Sequence, residues 1–222
     1  IVSFLEGKAK QVLTPYDCKQ VGAEVAKMHE ITKKFKIKRN NNLSVKSWRK
    51  LFNLVKDQCV KINKDLPRLI EANLIDVEKN WPNNLPSGII HADLFSDNIF
   101  FHNEKFNGII DFYFSCNDFY SFEIAICFNA LCFDGQKNNL SFNVTKAKNF
   151  IDGYSLIRKL SDEEKGSIKV LSQGAALRFL LTRVFDALNT VEGAIVKVKD
   201  PLEYLKRLEF HKNSKNSEDY FF

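Results

Sequence analysis

The centre of the chain contains the segment His91-Ala92-Asp93-Leu94-Phe95-Ser96-Asp97-Asn98, followed by Gly108-Ile109-Ile110-Asp111-Phe112. Short apolar runs predict strands at 88–91, 98–101 and 108–112, with a hairpin turn at 103–107. Polar loops that join strands hold functional groups in fixed and exposed positions. The sequence therefore predicts a small β-structure that brings Asp93, Asn98 and Asp111 close together.

These three side chains form a set that phosphoryl transfer requires. One carboxylate accepts the proton of the attacking hydroxyl, and a second carboxylate and an amide oxygen hold the divalent ions that neutralise the triphosphate. Mg²⁺ binds oxygen ligands and keeps several waters, so one Asp and one Asn are enough beside nucleotide oxygens. His91 is expected to brace the loop by hydrogen bonding, and Asp97 is either a turn former or a supporting carboxylate.

The remainder of the chain is predicted to be helical. Thr14-Pro15 is typical of a helix start, with an N-cap before Pro at the first helical position, and Ser161-x-x-Glu164 is a capping box. Apolar residues at helical spacing predict helices over 44–66, 67–81, 119–133, 144–154, 162–187 with a break, and 201–210. The predicted class is α+β, mainly helical, with a small β insert that carries the catalytic and metal loops.

Composition and charge exclude several classes of protein. Of 222 residues, 45% are hydrophobic and 27% are charged, which is typical of a globular chain and not of a disordered one. The net charge of +6 comes from scattered basic residues, which favour solvated helix faces over a nucleic-acid interface. No stretch approaches the ~20 apolar residues of a membrane-spanning helix. We therefore expect neither nucleic acid nor a membrane as a partner.

The five cysteines form no Cys-x-x-Cys pair. They are Cys18, Cys59, Cys116, Cys127 and Cys132. An odd number without paired spacing argues against a disulfide framework and against a structural zinc site. We expect buried free thiols in a reducing, cytoplasmic compartment.

The motif around Asp93 resembles the catalytic and metal-binding loops of the protein-kinase-like superfamily, in its aminoglycoside phosphotransferase and choline kinase branch. Four further stretches are more similar to the homoserine kinases built on that fold. They are Gly108-Ile109-Ile110-Asp111-Phe112-Tyr113-Phe114, Ala125-Ile126-Cys127-Phe128-Asn129-Ala130, Leu177-Arg178-Phe179-Leu180-Leu181-Thr182-Arg183 and Lys199-Asp200-Pro201-Leu202-Glu203-Tyr204. The likeness extends from about residue 2 to residue 211.

The resemblance implies ATP and Mg²⁺ as cofactors, Asp93 as the catalytic base, and Asn98 and Asp111 as the metal ligands. Asp118 and Glu123 fall in the acidic stretch of the family, from which one carboxylate supports the catalytic loop. Glu123 stands where such kinases more often carry Asp, so a brace from this position is longer by one methylene.

The resemblance also divides the chain. Residues 1–7 are a hinge-like segment, 8–212 a helical C-terminal catalytic lobe, and 213–222 a polar tail that is expected to be poorly ordered. Ser3, Phe4 and Leu5 match the hinge whose backbone contacts adenine. Neither a Gly-rich phosphate loop nor the orienting Lys–Glu pair of such kinases is found in the sequence. The N-terminal lobe is therefore expected to be absent, and the isolated chain to be nearly inactive.

The implied reaction is ATP-dependent phosphorylation of the hydroxyl of L-homoserine, a small-molecule substrate, to O-phosphohomoserine in threonine biosynthesis. Arg178 and Arg183 are candidates to bind the substrate carboxylate, with structural ion pairing as the alternative for both. Two other functions stay open. One is a choline or aminoglycoside kinase of the same fold, and the other is a non-catalytic nucleotide-binding or interaction module.

Overall fold

The computed structural model describes residues 4–135, 139–191, 198–216 and 218–221. This part of the chain is α+β and mainly helical, as predicted. Its helices are α1 Pro15–Thr32, α2 Val45–Val55, α3 Leu66–Asn80, α4 Tyr120–Leu131, α5 Val144–Ser155, α6 Asp162–Asn189, α7 Leu202–Asn213 and α8 Glu218–Phe221. Its strands are β1 Lys8–Ala9, β2 Ser87–Ile90, β3 Ile99–His102, β4 Lys105–Ile109, β5 Cys116–Phe119, β6 Phe133–Asp134 and β7 Ser141–Phe142.

The strands form three small antiparallel sheets in the order β1-β3-β4, β2-β5 and β6-β7. In the first sheet Lys8 pairs with Phe101, and Ile99 pairs with Ile109. In the second, Gly88 pairs with Asp118. The loop between β2 and β3 and the loop between β4 and β5 both begin where a strand ends, so the two loops are held by paired backbone on each side.

The β3–β4 hairpin turn is tighter than the predicted turn at 103–107. Only Asn103 and Glu104 separate the two strands, and both have positive φ, 48° and 61°. Two left-handed residues in succession are typical of a type I′ turn, whose twist matches that of the flanking strands. Lys105 therefore already belongs to β4, and the strand ends at Ile109 instead of continuing to residue 112.

Two clusters of buried apolar side chains support the sheets. The first contains Trp48, Phe52, Ile70, Leu74 and Phe122 together with much of α6. The second is built around α1, α4 and α5 and closes over the other face of α4. Helix α4 contributes to both clusters, which explains why almost every residue along it is buried. The cysteines are all buried free thiols.

Helices α1 and α5 approach each other too closely for side chains at two positions. A Cβ atom on Gly22 would lie 2.1 Å from the Phe150 carbonyl oxygen, and one on Gly153 would lie 1.9 Å from that of Lys19. Both distances are far below van der Waals contact. Glycine at these two positions therefore permits the close crossing of the helices.

Two predicted helices differ from the observed ones. The helix predicted over 44–66 ends at Val55, where the Gln58 backbone donates to the Val55 carbonyl at 3.0 Å and a 3₁₀ turn at Cys59–Lys61 follows. The break predicted within 162–187 does not occur, and α6 is continuous. Gly174 lies where α6 packs on Trp48 and Trp81 and leaves room for their rings.

The helix starts at Thr14-Pro15 and at Ser161 are confirmed, each with a complete capping box. None of the helices in the described ranges has the length and apolar character needed to cross a bilayer.

Residues 218–221, which lie in the tail that was predicted to be poorly ordered, form the short helix α8. Tyr220 and Phe221 are buried in the second cluster, and the Tyr220 hydroxyl lies 3.0 Å from Nδ1 of the buried His211. Phe128 stacks on Tyr220 with ring centres 6.1 Å apart. Residues 213–222 are mostly polar, but the aromatic side chains near their end pack against α4 and α7.

Candidate active site

Hydrogen bonds within the segment hold the residues after β2 in place. The Asp93 carbonyl accepts hydrogen bonds from the Phe95 backbone at 3.0 Å and from the Asn98 side-chain nitrogen at 2.9 Å. Ser96–Asn98 then form one 3₁₀ turn that leads into β3. These bonds fix Asp93 and Asn98 relative to each other, as the sequence predicts, and leave the Asp93 carboxylate facing a cleft.

His91 connects the two loops. Its Nδ1 accepts a hydrogen bond from the Asp93 backbone at 3.2 Å, and its Nε2 lies 2.9 Å from the Ile110 carbonyl. These partners require a proton on Nε2, because a carbonyl can only accept. The contacts agree with the predicted role of His91 as a brace.

Asp111 follows β4 in a left-handed conformation, with φ and ψ both 61°. Ala92, beside Asp93, also has a positive φ of 65°. Non-glycine residues in this region carry strain and are concentrated at functional sites. The Ile110 backbone donates to the Asn98 carbonyl at 3.0 Å, which places the two predicted metal ligands on adjacent backbone.

Glu123 is fully buried at the start of α4. It supports the loop between β2 and β3, which contains Asp93 and is the predicted catalytic loop. Its Oε2 accepts hydrogen bonds from the backbone NH groups of His91 and Ala92, the latter at 3.1 Å. The extra methylene relative to Asp therefore does not prevent the contact. Burial raises the pKa of this carboxyl, while the His91 ring and the two NH groups act in the opposite direction.

Asp118 has different partners from those of Glu123. Its Oδ2 accepts from the Asn41 side chain at 2.7 Å, and its Oδ1 accepts from the Phe119 backbone at 2.8 Å. It therefore anchors the segment before α2 to β5. Of the two acids that could support the catalytic loop, the geometry favours Glu123.

A cleft of about 530 Å³ lies in front of the two loops. Its walls are the loops themselves, one face of α6 and the segment before α7. The lining residues include Asp93, Asp97, Asn98, Asp111, Arg178, Thr182, Arg183, Asp186 and Lys199. Burial raises the pKa of Asp93, and the nearby cations Arg178 and Lys199 oppose this shift.

Arg178 is buried at the inner end of the cleft. Its Nη1 donates to the Ala92 carbonyl, and its guanidinium carbon lies 4.5 Å from the centre of the Phe179 ring. It is therefore in contact with the backbone of the catalytic loop itself. These contacts favour a role in positioning the loop over the predicted contact with substrate carboxylate.

Arg183 lies one turn further along α6. Its Nη1 donates to the Asp200 carbonyl at 2.9 Å and to Glu203 at 3.0 Å, and its guanidinium carbon lies 4.5 Å from the centre of the Tyr204 ring. These contacts hold the guanidinium in one place at the cleft wall. Arg183 thus makes the structural ion pair that was the alternative, and because it also lines the cleft, its contact with the substrate carboxylate stays a prediction.

Lys199 is a cleft residue that the sequence reasoning missed. Its Nζ lies 3.8 Å from Asp97 and 5.0 Å from the centre of the Phe95 ring. Residues 97 and 199 are brought together only by the packing of α7 against α6, so no local pattern indicates the contact. The pairing supports the reading of Asp97 as a carboxylate near the site.

The hinge-like segment is attached to the β3–β4 hairpin. Ser3 lies outside the described residues. Phe4 is exposed, while the Leu5 side chain packs on Gly108 of β4, and the Asn107 side chain donates to the Glu6 carbonyl at 2.8 Å. The segment is thus close to the strand that leads to Asp111.

The comparisons with known proteins agree with this arrangement. Residues 1–154 match the model of the phosphotransferase enzyme family. A homoserine kinase of Mesorhizobium japonicum is 44% identical, and one of Xanthobacter autotrophicus is 47% identical, each over 99% of this chain and 68% of the relative. The predicted absence of an N-terminal lobe is not confirmed.

Solved structures of low sequence identity share the fold. A choline kinase of Cryptosporidium parvum has a TM-score of 0.68 at 15% identity and covers 97% of this chain, which spans 69% of that structure. An ethanolamine kinase of Plasmodium vivax has a TM-score of 0.66 at 18% identity. The match covers 95% of this chain and 63% of that structure. The family match and the two relatives named homoserine kinase show that the chain belongs to the phosphotransferase enzyme family.

Proposed function

We propose that this protein transfers the γ-phosphoryl group of ATP to the side-chain hydroxyl of L-homoserine, which yields O-phosphohomoserine and ADP. The observation that carries the proposal is the convergence of Asp93, Asn98 and Asp111 on one cleft. The relatives named homoserine kinase, 44% and 47% identical over nearly the whole chain, support the choice of substrate.

Asp93 is the proposed catalytic base. His91 fixes its backbone NH and Asn98 fixes its carbonyl, so the carboxylate keeps one position in the cleft. A hydroxyl bound beside it passes its proton to Asp93 while the hydroxyl oxygen bonds to the γ-phosphorus and the bond to the ADP oxygen breaks. Burial raises the pKa of Asp93, which makes it a stronger base than an exposed Asp.

Asn98 and Asp111 have donor atoms that fit Mg²⁺. The Asn98 side-chain nitrogen is used by the Asp93 carbonyl, which leaves the amide oxygen for a metal, and the Asp111 carboxylate is exposed at the cleft. Both donors are hard oxygen ligands, and nucleotide oxygens and water would complete the shell. When bound, Mg²⁺ would neutralise charge on the phosphates.

The backbone of Ser3, Phe4 and Leu5 is the proposed contact for adenine. Leu5 and Glu6 are held against β4, the strand that ends two residues before Asp111. A nucleotide that bridges this segment and the metal ligands would present its γ-phosphate to Asp93.

Replacement of Asn98 or Asp111 by Ala is expected to weaken ATP binding only when Mg²⁺ is present. Replacement of residues that only support metal ligands costs about 10- to 100-fold in metal affinity. We therefore expect ATP affinity in the presence of Mg²⁺ to fall at least about 10-fold for either variant. Titration calorimetry of the full-length protein with and without Mg²⁺ measures the difference. Equal losses in both conditions would show that neither residue is a ligand, and Asp97→Ala serves as a control in the same loop.

The substrate carboxylate is proposed to bind Arg183. A guanidinium can pair with a planar carboxylate through two parallel hydrogen bonds. Choline and aminoglycosides lack a carboxylate, so an arginine held in the cleft favours homoserine over both.

The expected test result is a strong preference for L-homoserine over choline, an aminoglycoside and 3-aminopropan-1-ol, an analogue that lacks the carboxylate. In Arg183→Met the KM for homoserine should rise by about 10- to 100-fold, because a charge-assisted pair is lost. The rate on 3-aminopropan-1-ol should change little. Equal wild-type rates on choline and homoserine would contradict the proposed function, whereas an unchanged KM in the variant would contradict only the role of Arg183.

The cytoplasmic location is proposed on the cysteine pattern alone. The division of the chain at residues 7 and 212 and the low activity of the isolated chain stay predictions.

A further inference from the structure

We propose that the Asp186 carboxylate binds the α-ammonium group of the substrate, so that α6 recognises both charges of an amino acid. The inference rests on the homoserine kinase activity proposed above and assigns a role to a residue outside the two loops. It is carried by the position of Asp186 in the cleft and by the charges around it.

Asp186 belongs to the face of α6 that lines the cleft. Residues 178, 182 and 186 follow one another at intervals of four and therefore lie on one stripe of the helix. All three line the cleft, together with Arg183. The helix rise of 1.5 Å per residue separates Arg178 from Asp186 by about 12 Å along the axis. The stripe thus runs from the catalytic loop at its inner end towards the outer part of the cleft.

The other acids of the cleft have charged neighbours or belong to the loops. Arg178 and Lys199 are near Asp93, Lys199 lies 3.8 Å from Asp97, and Asp111 is a proposed metal ligand. Within the described ranges, the Asp186 side chain makes no hydrogen bond or ion pair. Among the residues that the structure describes, it is therefore a negative charge without a cationic partner on the wall of a ligand-sized cleft.

Arg183 is three residues before Asp186, a spacing that often produces an ion pair within a helix. Here the guanidinium is turned to Glu203, to the Asp200 carbonyl and to the Tyr204 ring instead. The two opposite charges therefore stand separately on the same wall. Asp186 is exposed at the cleft wall, and partial desolvation raises the pKa of its carboxyl.

This pattern fits the two charges that an amino acid carries on one carbon atom. The helix rise between residues 183 and 186 is about 4.5 Å. Their side chains can therefore reach two groups on the same carbon atom, Arg183 the carboxylate and Asp186 the ammonium. With both charges bound at the outer part of α6, the side chain of the substrate points inwards to Asp93. A hydroxy amino acid is then oriented with its hydroxyl at the base.

The test uses Asp186→Asn in the full-length protein, with L-homoserine and with 4-hydroxybutanoate, which lacks the ammonium group. The KM for homoserine should rise by about 10- to 100-fold, with kcat changed less than about threefold, since a charge-assisted hydrogen bond is lost from binding. The variant should lose most of the preference of the wild type for homoserine over 4-hydroxybutanoate. Asp186→Glu should recover part of the affinity.

Asp57→Asn is the matched control, because Asp57 is exposed in the turn after α2 and outside the cleft. It removes the same charge and should leave both constants unchanged. A wild-type KM in Asp186→Asn, or an undiminished preference for homoserine, would overturn the role of Asp186. A wild-type protein that does not phosphorylate homoserine would instead overturn the proposed function.

Discussion

Asp93→Asn is expected to remove phosphoryl transfer and to leave the fold and the nucleotide affinity nearly unchanged. The amide has almost the same shape, so the bonds from the Asp93 backbone to His91 and Asn98 can persist. It cannot accept the hydroxyl proton, and loss of a general base costs about 10²- to 10⁴-fold in rate. ADP release by the full-length enzyme with saturating homoserine measures kcat.

Asp97→Asn is the control for this variant. Asp97 lies in the same loop and is exposed, with Lys199 as its partner at 3.8 Å. Its replacement removes the same charge from the cleft but should reduce kcat by much less than the change at Asp93. Near-normal turnover in Asp93→Asn, with unfolding midpoint and ATP affinity unaltered, would contradict the assignment of the base.

The fold was predictable where local pattern decides it. An N-cap followed by Pro located the start of α1, a capping box located the start of α6, and short apolar runs located β2 and β3. The end of α2 was not predictable from apolar spacing, because the apolar residues Cys59 and Ile62 continue the helical spacing although the chain forms turns after Val55. Helix α6 is continuous through Gly174, where the rings of Trp48 and Trp81 leave no room for a Cβ atom.

The site was predictable to the extent that it is contained in one stretch of sequence. Asp93, Asn98 and Asp111 lie within twenty residues of each other, and their bonding follows from strand, turn and hairpin. The groups that face them from α6 and from the segment before α7 are distant in sequence. Neither Lys199 nor Asp186 was therefore predicted as a site residue, since only tertiary packing brings them to the cleft.

Arg178 illustrates how packing can redirect an interpretation made from sequence. Arg178 and Arg183 are two cations on one predicted helix, and the sequence alone gives both the same candidate role. In the structure Arg178 is 2% exposed and donates to the Ala92 carbonyl, while Arg183 is held at the cleft wall by Glu203 and the Asp200 carbonyl. One arginine supports the catalytic loop, and the other is paired with Glu203 on the wall of the cleft.

The two roles predict opposite kinetic effects. Arg178→Met keeps the length and apolar body of the side chain but leaves the buried Ala92 carbonyl without its partner, which costs about 1–3 kcal/mol in the free energy of unfolding. The loop residue next to Ala92 is Asp93, and a displacement of about 1 Å at a reacting group can cost about 10²-fold in rate. We therefore expect a large loss of kcat with little change in the KM for homoserine.

Arg183→Met provides the matched comparison, because it removes the same charge from the same helix. It should raise the KM for homoserine and leave kcat and the unfolding midpoint nearly unchanged, since its partners lie near the surface of α7 and not in the catalytic loop. Arg178→Lys, which restores a cation, should recover part of the lost kcat. If Arg178→Met instead raises the KM and preserves kcat, Arg178 binds the substrate carboxylate, and the contact with Ala92 is incidental to catalysis.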